Sequence, residues 1–446
     1  MRMRTITICV ATGLLATVAA SSSSPTHAQK PAIELQWWHA MTGANNDRVN
    51  KIADGFNATQ SDYKVVPSYK GTYAEIMTAT IAAFRAGNAP HIAQVYEVGT
   101  ATMMAAKGAI KPVYQLMADA GEPFDPKAYL PAITGYYSTP DGKMLSMPFN
   151  SSTAVVYYNK EILKKAGVDT EKLPATWPEL FAAAKKVRES NAAPCGFTTA
   201  WVSWIQLEQF SAWHNVPLAT KANGLGGMDT ELKFNGQYQV RHLQNLVDAQ
   251  KDNVFQYGGR ETQPEGKWSK GECAIILNSS GFVGIALANA KFPFGVAMMP
   301  YYPDVPGAPQ NSIIGGATLW VMGGKKPEDY KGVAKFFSYL SRTDVQVDTH
   351  EVTGYLPITV AAYKATKESG FYESHPGRET PILELQNKPP TENSMGLRFG
   401  NMVQLRDVIA EEVESALGGK ESAKDALDKA VARGNAILRQ FQKAAS

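Results

Sequence analysis

The chain has 446 residues, of which 44 % are hydrophobic, 10 % aromatic and 19 % charged, with a formal net charge of +3. That supplies apolar material for a large core and too much chain for one compact domain, so two or three domain-sized units are expected. A disordered chain needs low hydrophobicity with high net charge, and a nucleic-acid binder needs a Lys/Arg block; this sequence offers neither.

Arg2 and Arg4 precede an apolar run from Ile6 to Ala20, and Thr26-His27-Ala28 forms an A-x-A-like cleavage site. Residues 1–28 are therefore expected to be an export signal, and losing Arg2 and Arg4 lowers the formal charge to +1. The run is short for a bilayer span, and no later segment reaches about eighteen unbroken apolar residues. A soluble periplasmic protein is expected, with a retained N-terminal anchor as the rival. Removing Cys9 leaves Cys195 and Cys273. They are either a disulfide closing a loop of about 80 residues, worth ~4 kcal/mol, or two buried thiols.

Alternation in Ile33-Glu34-Leu35-Gln36-Trp37-Trp38 predicts a strand. Asn45 or Asn46 can cap a helix carrying Val49, Ile52, Ala53 and Phe56 on one face. Tyr63 to Tyr69 reads as a strand, Tyr73 to Arg85 as a helix, and His91 to Tyr96 as a third strand ending at Glu97. This βαβαβ order implies a parallel sheet covered by helices, with Glu97 at the carboxyl edge where ligands sit. A second α/β region starts near Pro148. It holds strands at Val155–Tyr158, Ala274–Leu277 and Phe294–Met299, and helices at Glu161–Ala166 and after Thr176. Asn223 to Gly227 reads as a flexible surface turn, and Met402–Leu417 and Ala423–Gln442 as helices. The fold class expected is α/β with two lobes and several crossings, near Pro148, Phe294 and Thr349. Lobe 1 takes 29–147 with 293–348, and lobe 2 takes 149–292 with 349–446.

Catalytic signatures are missing. There is no P-loop, no G-x-S-x-G elbow, no H-E-x-x-H and no G-x-G-x-x-G, and the seven His residues are scattered without metal-ligand spacing. No cofactor or metal is expected, and an enzyme is disfavoured.

Tyr73, the run Gln94 to Met104, Pro148 to Thr153 and Trp201 to Glu208 carry a family resemblance, continued by Ile313 to Ala317, Thr353 to Thr359 and Gly400 to Met402. Across essentially the whole mature chain, the sequence resembles the periplasmic sn-glycerol-3-phosphate-binding proteins of ABC importers, within extracellular solute-binding protein family 1. Ile276-Leu277-Asn278 and His214-Asn215-Val216 depart from the family pattern. The resemblance implies a type II periplasmic-binding-protein fold with a cleft between lobes, and a monomer that serves membrane permease subunits. It places ligand-binding residues at Tyr73, Glu97, Ser152, Trp201, Trp204, Ser279, Gly316, Tyr355 and Arg406.

A phosphomonoester carries about −1.5 to −2 charge, so burying it calls for a guanidinium fork and neutral donors. Arg406 suits the fork, with Ser152, Tyr355 and the Gly316 N–H as further donors. Glu97 should face the glycerol hydroxyls, away from phosphate. Tyr73 and Ser279 fit either end. Trp201 and Trp204, at i and i+3, can wall the carbon skeleton or a choline headgroup. Each residue has a bland alternative: an ion-paired helix Arg, a capping Glu or Ser, core Trp, a Gly turn. The expected function is capture of sn-glycerol-3-phosphate and glycerophosphodiesters such as glycerophosphocholine. The alternatives are a maltodextrin-like sugar receptor, an exported phosphodiesterase or glycosidase, and a structural envelope protein.

Overall fold

The structure, a computed structural model, describes residues 31–139 and 141–445, so the export signal expected over 1–28 lies outside the described residues. Among the described residues nine strands run in chain order: Ile33–His39 (β1), Tyr63–Tyr69 (β2), Ile92–Tyr96 (β3), Met147–Ser152 (β4), Ala154–Asn159 (β5), Cys195–Thr199 (β6), Cys273–Ser279 (β7), Phe294–Ala297 (β8) and Gly315–Val321 (β9). Alternation makes β1, where Leu35, Trp37 and His39 are buried and Glu34 is exposed. The helix at Gly43–Thr59 buries Val49, Ile52, Ala53 and Phe56 as expected. Thr72 and Glu75 form a capping box that starts the helix at Tyr73–Arg85.

The strands form two sheets, ordered β2-β1-β3-β9-β4 and β6-β7-β5-β8. β1 is parallel to β2 and β3, as the βαβαβ pattern requires, while β9 runs antiparallel between β3 and β4. In the second sheet β5 is antiparallel to both β7 and β8, and β6 is parallel to β7. Two expected boundaries move. β4 continues through Ser152 in the first sheet, and β8 pairs with β5 in the second. The chain therefore changes sheets at Thr153 and again between Ala297 and Gly315, rather than at Pro148 and Phe294. A third passage lies beyond the helix Thr343–Thr353, where the Leu356 N–H donates to the Ser151 carbonyl at 2.8 Å.

Two local expectations are corrected. Asn45 does not cap its helix; Thr42 stands at the N-terminus, and buried Asn45 reaches the Gly281 carbonyl at 3.2 Å. The turn at Asn223 is not a free surface loop, because Asn223 is buried and its amide holds Ala219 N and the Asn393 carbonyl. Among the described residues no helix is long and apolar enough to cross a membrane.

Cys195 and Cys273 form a disulfide between register partners on β6 and β7, 78 residues apart in sequence. Replacing both by Ser should lower the unfolding free energy in urea by about 2–4 kcal/mol, and an unchanged midpoint would refute the tether.

Buried histidines are held neutral. The Nδ1–H of His350 donates to the Tyr355 carbonyl at 2.6 Å, and its Nε2 accepts from the Tyr372 hydroxyl at 2.9 Å. His214 donates to the Phe210 carbonyl and accepts from Tyr302 N. Burial pushes both imidazoles down to about 4. The unfolded chain takes up these protons first, so the stabilisation is whole above pH 6.5 and is lost as pH falls toward 4. In denaturation series, the stability gap between the wild type and His350→Asn should shrink over that window, by on the order of 3 kcal/mol. A pH-independent gap would show that His350 is not held neutral.

Candidate functional site

The strand ends of the two sheets face a cleft with a water-accessible volume of about 190 Å³. All nine residues expected from the sequence line it: Tyr73, Glu97, Ser152, Trp201, Trp204, Ser279, Gly316, Tyr355 and Arg406. Glu97 follows β3, Ser152 ends β4, Ser279 ends β7 and Gly316 lies at the start of β9. Carboxyl strand ends and the opening residues of β9 thus deliver groups from both sheets to one place. The N-terminal ends of the helices at Gly43–Thr59 and Tyr73–Arg85 also open here, through Thr42, Thr72 and Tyr73.

The aromatic wall is built around Tyr73. Its ring stacks on Tyr96 with centroids 5.1 Å apart and planes at 9°, and Trp201 leans on it at 6.4 Å. A polar relay orients its hydroxyl. Ala40 N donates to Gln94 Oε1 (2.7 Å), Gln94 Nε2 to Asn150 Oδ1 (2.8 Å), and Asn150 Nδ2 to the Tyr73 hydroxyl (2.9 Å). Trp201 and Trp204 do not share a regular helix face. Trp201 has φ +48°, and a π-helical turn starts at Trp204. Burial holds the Tyr73 hydroxyl well above its usual range, so it stays a donor, and burial pushes Tyr355 up to about 12.

Gly315 and Gly316 form the first residues of β9 rather than a turn. A Cβ on Gly315 would stand 2.3 Å from the Trp204 ring, so glycine is what lets that indole reach the cleft. Gly316 has φ +88°, and a Cβ there would lie 1.9 Å from the Asn150 carbonyl oxygen. The Trp204 Nε1–H is buried without a hydrogen-bond partner among the described residues.

The structure revises the surroundings of Arg406. Its Nε and Nη2 donate to Glu208 Oε1 and Oε2 at 2.8 and 2.6 Å, and Nη2 also donates to Glu97 Oε1 at 2.6 Å. The expected separation between a phosphate-holding Arg406 and Glu97 is therefore absent. The physical reason is packing. Helix Met402–Leu417 lies against the Glu97–Gly99 turn, and a buried guanidinium must be met by counter-charge. Burial pushes the Glu97 carboxyl up, Arg406 pulls it down, and Glu208 adds to the upward shift. These bonds to Glu97 and Glu208 use Nε and Nη2, not Nη1. Glu208 carries no sequence signal of its own, although it stands four residues after Trp204 in the run Trp201 to Glu208. Glu261 and Glu265 line the cleft from a segment without periodic signal.

Residues 51–380 match the family described as bacterial extracellular solute-binding protein. The chain belongs to this family. It is 52 % identical over 407 residues to the sn-glycerol-3-phosphate-binding periplasmic protein UgpB of Rhizobium meliloti (strain 1021), covering 91 % of this chain and 94 % of that one. To the protein of the same description from Brucella abortus (strain 2308) it is 50 % identical over 440 residues, covering 98 % and 99 %. The fold is shared with the crystal structure of UgpB from Mycobacterium tuberculosis in complex with glycerophosphocholine. That match has a TM-score of 0.75 and 17 % identity, and covers 92 % of this chain and 99 % of the other. Two sheets in the observed strand order, with a cleft between them, are the type II two-lobed architecture of such binding proteins.

Arg406→Ala should destabilise the protein by about 3–5 kcal/mol in urea, because it leaves Glu97 and Glu208 buried together without a cation. Adding Glu208→Gln should restore part of that loss; a double variant no more stable than the single would refute the shared-charge account.

Proposed function

We propose that this protein is the periplasmic receptor of an ABC importer for sn-glycerol-3-phosphate and glycerophosphodiesters. The observation that carries this is the convergence of all nine residues, drawn from both sheets, on one cleft. Relatives about half identical over nearly the full chain, named for sn-glycerol-3-phosphate binding, support the same ligand class. The apolar run and cleavage pattern of residues 1–28 fit the periplasmic location.

The ligand's orientation follows from charge. Two carboxylates already occupy most of the Arg406 guanidinium, so that end repels phosphate and suits hydroxyl groups. Glu97 accepts from the glycerol hydroxyls, and Arg406 Nη1 donates to a hydroxyl oxygen. The phosphate then sits among the neutral donors Ser152, Ser279, Tyr355 and the Gly316 backbone, where the N-terminus of helix Gly43–Thr59 adds favourable partial charge. Ser279 fits a donor role because its Oγ already accepts from Gly281 N at 3.1 Å, which leaves its proton for the ligand. A ligand held from both sheets favours the closed arrangement, the form that permease subunits distinguish from the empty one. A micromolar affinity corresponds to about −8 kcal/mol, within reach of these contacts.

One observation favours a second reading. Stacked aromatics together with Glu97, Glu208, Glu261 and Glu265 are also a set that a sugar receptor uses. Tryptophan-fluorescence titration of refolded, ligand-free protein separates the two. Saturable binding of sn-glycerol-3-phosphate, weakened about tenfold or more by Ser279→Ala, is expected, with no response to maltose. Saturation by maltose alone would establish the sugar receptor, and silence from both ligands would overturn the phosphate-ester reading.

A further inference from the structure

Glu265 lines the cleft, yet the orientation above gives it no task. It opens the short helix Glu265–Ser269, and its Oε1 accepts from Asn278 Nδ2 at 3.0 Å. The same Asn278 side chain accepts from Ser279 N at 2.7 Å. One amide thus holds a carboxylate beside the serine assigned to phosphate. Tyr355, on the phosphate wall, senses the Glu265 charge.

Among the described residues Glu265 makes no ion pair. Burial and the Asn278 bond are the influences on its carboxyl, and burial pushes it up to about 7. A lone carboxylate next to a phosphate is unfavourable unless the ligand brings a positive charge to that spot. The same cleft is lined by the apolar and aromatic side chains of Ile285, Met41 and Tyr69, while the Phe282 ring packs into the core against Tyr157 and Trp268. Carboxylate plus aromatic and apolar surface is the environment that a weakly hydrated ammonium prefers.

We infer that Glu265, positioned by Asn278, is a specificity-determining residue that reads the ammonium headgroup of a glycerophosphodiester. The headgroup leaves the phosphate past Ser279 and meets the Glu265 carboxylate that Asn278 holds beside it. This rests on the phosphate orientation proposed above. It also ranks ligands. A zwitterionic diester satisfies both the phosphate donors and Glu265, whereas a monoester brings Glu265 no positive charge and can face it only once the carboxyl is protonated.

Calorimetric titration of the refolded full protein with sn-glycerol-3-phosphate, glycerophosphocholine and glycerophosphoglycerol tests it. Glu265→Gln keeps an oxygen for Asn278 and removes the charge, and a thermal melt checks that the variant is folded. Affinity for glycerophosphocholine should fall about tenfold, with glycerophosphoglycerol moving by less than about twofold and sn-glycerol-3-phosphate unchanged or tighter. Equal losses for all three ligands would make Glu265 a structural residue and overturn the inference. So would an unchanged glycerophosphocholine affinity. A loss confined to sn-glycerol-3-phosphate would mean that Glu265 shares a proton with the monoester, which also overturns it. If the wild type binds none of the three, the phosphate-ester reading falls and this inference falls with it.

Discussion

A buried guanidinium shared by two carboxylates is the constraint on which the cleft depends. Arg406 comes from a helix near the C-terminus, Glu97 from the turn after β3 in the first sheet, and Glu208 from the turn after β6 in the second. The three meet because none of these charges can be left alone in a low-dielectric setting. Their meeting ties both lobes and the C-terminal helix to one point at the cleft floor. It also sets the polarity of the site. Two carboxylates already engage this guanidinium, so it is no free cation.

The cleft lining also holds neutral donors, at Ser152, Ser279, Tyr355 and the Gly316 backbone, which could meet an anion without a formal cation. Hydroxyls, backbone groups and a helix N-terminus offer partial positive charge that costs little to bury. Its geometry is held from behind. The Ala40–Gln94–Asn150 relay orients Tyr73, and neutral His350 grips the Tyr355 carbonyl. Gly315 and Gly316 leave room where β9 meets the Trp204 ring and the Asn150 carbonyl. A cleft supported in this way is largely preorganised, so ligand binding orders few side chains and its free energy can bias lobe closure.

Much of the first sheet was legible because its early strands alternate and its helices carry apolar stripes. Leu35 and Trp37 in β1, and Val49, Ile52 and Phe56 in the following helix, are buried where the pattern puts them. β4 was not legible. All six of its residues are buried, Pro148 interrupts it, and its Asn and Ser residues read as loop. Burial on both faces removes alternation, and pairing with β9 across an irregular register supplies what local pattern lacks. That is why the change of sheet expected near Pro148 comes a few residues later, at Thr153. Membership of the nine cleft residues came from family resemblance, since each taken alone has a bland role.

What the sequence determined by itself is therefore the α/β layering, the parallel start of the first sheet and the identity of the residues that converge. Those follow from hydrophobic periodicity and from residue types that survive in recognisable runs. Tertiary structure alone decided which charges touch. Glu97, Glu208 and Arg406 are about 100 to 300 positions apart, and the Glu265–Asn278 pair is set by how a strand end meets a short helix. Electrostatic partnership depends on distances of a few ångströms between side chains remote in sequence, and no local pattern encodes those distances.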